Sequence, residues 1–71
     1  MSKASELGET LERLVDENGL AAVLDALATV CHAKADHVQS NWQDAGLAKC
    51  WKSAGKRIET VAGVVSALLD L

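Results

Sequence analysis

The chain has 71 residues, carries a formal net charge of −3 and contains no Pro, Phe or Tyr. That excludes more than one small domain and any large aromatic core, since chains this short bury only about 60% of the surface that their unfolded form exposes. The hydrophobic fraction of 49% overstates the core, because roughly a third of those residues are Ala, which favours helix but buries little area.

Charge is unevenly placed. Up to Asp44 there are eight acids against Lys3, Arg13 and Lys34; beyond it Lys49, Lys52, Lys56 and Arg57 face only Glu59 and Asp70. An acidic chain does not track phosphate backbones except through a local basic patch. The N-terminal stretch lacks the basic-then-apolar pattern of a signal peptide. The apolar tail from Val61 is shorter than the roughly 20 residues of a membrane span. A soluble, cytoplasmic protein without membrane contact is therefore expected, with its two cysteines reduced.

In chain order, Ser5 can cap a first helix over about 5–17, with Glu6 and Glu9 in its opening turns. Leu7, Leu11 and Leu14 recur there as one narrow stripe, with Val15 at its edge. Asn18-Gly19 is a stop signal, Gly being the residue that most readily adopts the left-handed conformation at a helix end. A second helix is predicted over about 20–39, with a core stripe of Leu20, Leu24, Leu27, Cys31, Ala35 and Val38. Ser40-Asn41-Trp42-Gln43 fits a capping box, which places the break before a third helix over about 42–70. The competing reading is a helix continuous through Trp42. The third helix carries Leu47, Trp51, Ala54, Ile58, Val61, Val65 and Leu68 on one stripe.

A chain that reverses between Ser40 and Asn41 sets Cys31 level with Cys50 and Leu20 level with Val61. Residues 62–71 then project beyond the hairpin. This overhang is apolar on most sides, so it needs a partner. Its large residues, Val64, Val65, Leu68, Leu69 and Leu71, are the expected dimerisation surface.

No constellation points to catalysis. Cys31, His32, Asp36, His37 and Cys50 are ligand types for zinc but lack the paired spacings of structural sites, so neither metal nor cofactor is expected. Both cysteines sit on predicted core stripes as inert thiols, a disulfide between them being the alternative. His32 and Asp36, at i and i+4, can pair on the surface. Lys49, Lys52 and Lys56, bordered by Arg57, form either the solvated side of an amphipathic helix or a basic contact. Trp42, beside the turn, suits an interface anchor as well as it suits capping of the core.

The stretch from His37 through Ser40, Asn41, Trp42 and Gln43 to Asp44, with Leu47, Ala48 and Trp51 following, resembles short uncharacterised bacterial and mobile-element proteins. The resemblance spans residues 33–51. It implies a compact helical protein, carries over no catalytic residue, and makes an inhibitor or regulator the expected role.

Together these readings predict an all-α, three-helix domain over residues 1–71: a short helix packed on a long antiparallel hairpin, and dimeric. The expected function is non-enzymatic protein binding, as an adaptor or inhibitor acting as a homo-oligomer, with Trp42, Gln43 and Asp44 as the working surface toward another protein. The alternative is a regulator of nucleic acid or a nucleoprotein complex, from a phage or mobile element, using the lysine face.

Overall fold

A single residue, Gly19, joins the first two helices, and two, Gln43 and Asp44, precede the third. The structure, a computed structural model, describes residues 3–69, which form α1 (Lys3–Asn18), α2 (Leu20–His37), one turn of π-helix (Val38–Trp42) and α3 (Ala45–Leu69). This is the all-α hairpin with a shorter N-terminal helix packed on it; Asp70, the expected end of α3, lies outside the described residues.

Each connection has a local cause. Gly19 has φ 90°, a conformation in which a Cβ would be strained. Its N–H donates to Val15 O at 2.7 Å, and its carbonyl accepts from Val23 N–H at 3.2 Å. One residue therefore closes α1 and opens α2. At the other turn the structure differs from the capping box expected at Ser40. Ser40 and Asn41 stay helical within the π turn, where Asn41 Nδ2 donates to the carbonyl of His37 at 3.1 Å. Gln43 then takes the left-handed conformation, φ 53°. Asp44 is the cap: its Oδ1 accepts from Leu47 N–H at 2.9 Å and its carbonyl from Ala48 N–H at 3.0 Å. A carboxylate there also suits the positive end of a long helix.

Moving the break to residues 43–44 changes the hairpin register. Gly55 abuts Ala28, and Leu20 and Ala21 share a cavity wall with Ser66 and Leu69. Cys31 is buried, Cys50 is exposed, and both thiols are free, so the expected facing of Cys31 and Cys50 does not occur. The expected overhang after Val61 shrinks as well, because Ala62 is buried and Val65 half-buried against α2.

The buried residues are Ala28, Cys31, Ala35 and Val38 on one side and Ala48, Gly55 and Ala62 on the other. With the half-buried Ala21, Leu24, Trp51, Ile58 and Val65, they form a seven-residue repeat on both helices. Ala21, Ala28 and Ala35 face Ala48, Gly55 and Ala62, and the larger side chains interleave between these layers, as in a coiled-coil seam. The small residues let the backbones approach closely. A Cβ added at Gly55 would stand 3.3 Å from the carbonyl oxygen of Ala28.

α1 touches α2 and has no contact with α3 among the described residues. It meets the outer edge of α2, where Leu14 and Asn18 line a shallow cavity with Ala22, Val23 and Ala26. Toward its start it diverges, since Leu14 is half-buried, Leu11 is 43% exposed and Leu7 60%. The molecule is accordingly broad and thin, 41 × 35 × 14 Å.

Candidate interaction surface

The side chains flanking the seam sort onto two faces. At 100° per residue, Asp25 and His32 lie on one side of the α2 seam, and Leu20, Leu27 and Lys34 on the other. On α3 the corresponding rows are Lys52, Glu59 and Ser66, and Leu47, Ala54, Val61 and Leu68. One contact ties the rows together: His32 Nε2 lies 2.6 Å from Glu59 Oε1. Because that bridge crosses the hairpin, both polar rows share one face. The rows of Leu20 and Leu27 and of Leu47, Val61 and Leu68 therefore share the opposite face. Lys34 is the sole charged member of those two rows.

This apolar face is uncovered. Leu27 is 46% exposed, Val61 50% and Leu68 67%, with Leu20 and Leu47 also open. Val30 and Val64 extend it outward, both exposed. Of the stripes read as core in the sequence, Leu20, Leu27, Leu47, Ala54, Val61 and Leu68 fall on this face, whereas Leu24, Cys31, Ala35, Val38, Trp51, Ile58 and Val65 lie in the seam, together with the row of small residues. Periodicity weighted by side-chain size favours the leucines. The signal that marks the seam is the seven-residue recurrence of Ala21, Ala28 and Ala35 and of Ala48, Gly55 and Ala62.

No protein-family model, curated protein or solved structure matches the chain.

The other sequence-predicted residues are placed as follows. Val64, Leu68 and Leu69 are exposed and Val65 is half-buried; Leu71 lies outside the described residues. Trp42 is 65% exposed, its ring edge-on to His37 with centroids 6.1 Å apart. It sits at the turn end of the hairpin, away from the C-terminal residues of α3. Gln43 and Asp44 are exposed beside it, but the left-handed backbone of Gln43 and the cap made by Asp44 give both a structural task. Lys49, Lys52 and Lys56 are exposed along the polar side of α3, and Arg57 points to its outer edge by helical spacing. His32 engages Glu59 rather than Asp36. Among the described residues, no group of three His, Cys, Asp or Glu side chains could hold a metal ion, and no helix is long and apolar enough to cross a membrane.

Proposed function

We propose that this chain is a non-enzymatic protein-interaction module that acts as a homo-oligomer, through the apolar face of its hairpin. The observation that carries this reading is the exposure of Leu20, Leu27, Leu47, Val61 and Leu68 on one face with a polar face opposite. A helical layer with one apolar side gains stability only when a second layer covers it. Fully burying a Leu or Val is worth about 1.5–3 kcal/mol, so covering five half-exposed ones adds several kcal/mol to a small domain. Of the described part of the expected dimerisation set, Val64 and Leu68 belong to this face, while Val65 lies in the seam and Leu69 continues the seam row of Ala48, Gly55 and Ala62.

Sedimentation over a range of concentrations tests the reading. The wild type should exceed the mass of one 7.5 kDa chain. Leu27→Asp with Val61→Asp should remain helical but stay monomeric. A wild type that stays monomeric at high concentration, with a folded and stable hairpin, removes the basis for the proposal.

One observation supports the second reading, a regulator of nucleic acid. Lys49, Lys52 and Lys56 line one side of α3 and have no acidic partner among the described residues. In that case affinity for nucleic acid falls steeply with salt and is abolished by Lys49→Glu with Lys52→Glu.

A further inference from the structure

We infer that α1 is a strap: swinging about Gly19, it covers the apolar face of its own hairpin until a second copy displaces it. The inference rests on the interaction-module reading and supplies a control over that same face.

Two apolar surfaces stand uncovered on either side of a single residue. α1 carries Leu7, Leu11 and Leu14 on one stripe, and of these only Leu14 is half-buried, where the end of the helix meets α2. A helix of 16 residues is marginal in water without a packed face. Beyond Gly19 the hairpin leaves Leu20, Leu27, Leu47, Val61 and Leu68 open.

The connection is built to turn. Gly19 N–H donates to Val15 O, within α1, and Gly19 O accepts from Val23 N–H, within α2. The φ and ψ bonds of Gly19 lie between those two hydrogen bonds, so rotation about them moves α1 as a body and breaks neither. No Cβ restricts that rotation, and nothing lies within 4 Å of the place where one would be. Among the described residues α1 meets only α2, at Ala22, Val23 and Ala26 on its outer edge. The swing therefore gives up one shallow contact.

Spacing and charge fit the closed position. A reversal at Gly19 sets Leu14 level with Leu24 and Leu11 level with Leu27. Through the register that places Gly55 on Ala28, Val15 comes within a residue of the level of Val61. With the stripe turned to the groove between α2 and α3, Glu9, Glu12 and Asp16 on the opposite side of α1 stay in water. Lys34, the one charged residue in the apolar rows, comes within a turn of Glu6. The strap is shorter than the face, since Leu47 lies past its start and Leu68 past Gly19. A second copy covers those two as well, so it makes the larger gain and displaces α1 as concentration rises.

The test combines one distance with one affinity. Spin labels on Glu9→Cys and Ser53→Cys, in a Cys50→Ser background that leaves only the buried Cys31, report the position of α1. In the dilute chain the axes of α1 and α3 should be one helix spacing apart, about 10 Å. In the dimer, formed with excess unlabelled chain, they should be about 20 Å apart, two spacings, and the labels should separate by about that difference. Leu7→Gln with Leu11→Gln takes apolar surface from the strap and none from the hairpin. It should tighten self-association several-fold, because less of the chain is held closed. Labels far apart at every concentration, or a Gln variant that dimerises no better than the wild type, would overturn the strap and leave the interaction-module reading standing. A chain that never dimerises, with or without the substitutions, overturns both.

Discussion

The imidazole of His32 rests over the bare backbone of Gly55. A Cβ built on Gly55 would stand 3.0 Å from both Cε1 and Nε2 of the ring, and from that position Nε2 reaches Glu59 Oε1, one helical turn further on, at 2.6 Å. The contact joins two properties of the hairpin: a crossing tight enough to need glycine, and a polar bridge that assigns the two faces. The bridge contributes little energy by itself, because both side chains are about half exposed and such pairs are worth roughly 0–1 kcal/mol.

Glycines at the seam and away from it should therefore respond oppositely to substitution. Gly63 has nothing within 4 Å of its would-be Cβ, so Gly63→Ala should stabilise by about 0.5–1 kcal/mol through helix propensity alone. Gly55→Leu must force Ala28 and His32 aside and should lose about 1–3 kcal/mol. Gly55→Ala falls between, its propensity gain offset by the 3.3 Å approach to the Ala28 carbonyl. Thermal unfolding of the three variants measures the order Gly63→Ala, Gly55→Ala, Gly55→Leu.

The position of the cap makes a second prediction. Asp44→Ala removes the acceptor for Leu47 N–H and should cost about 1 kcal/mol, whereas Asp44→Asn should retain most of the stability. Ser40→Ala should be close to neutral, since Ser40 lies inside the π turn. If denaturant titration showed Ser40→Ala to be the costlier change, α3 would begin where the capping-box pattern suggested.

The three helices, the Gly19 stop and the hairpin could all be read from periodicity and turn chemistry, which act over a few residues. The register could not. Ser40 and Asp44 are both competent caps, and the choice between them is made by the pairing of Ala21, Ala28 and Ala35 with Ala48, Gly55 and Ala62, a contact between distant parts of the chain. The same cause hid the interaction surface. Leu27 and Val61 stand on the apolar stripes beside Leu24 and Ile58, yet close packing of the helices selects the small residues next to them, Ala28 and Ala62. The surplus apolar area was foreseen, but as an end projecting beyond the hairpin rather than as one of its faces.

Thiol chemistry offers a third check, on that register. Cys50 is exposed and Cys31 buried. A charged thiol reagent should therefore label one cysteine per chain in the native state and the second only on unfolding, because access limits the reaction. Protection of both thiols in a dilute monomer would restore the facing of Cys31 and Cys50 that the shorter turn implies.

Seam and face should also separate in a substitution pair one residue apart from the equivalent rows. Ala35 is 0% exposed between the helices, so Ala35→Leu inserts three carbons into a seam with no room for them. It should destabilise the chain by about 1–3 kcal/mol whatever its oligomeric state. Leu27 is nearly half exposed, so Leu27→Gln removes apolar surface without leaving a cavity in the seam. Its effect on unfolding at low concentration should stay within about 1 kcal/mol, while at high concentration, where association adds to stability by mass action, the loss should grow. Unfolding measured at two widely spaced protein concentrations distinguishes the two positions. A concentration-independent loss at Leu27 would assign it to the monomer core.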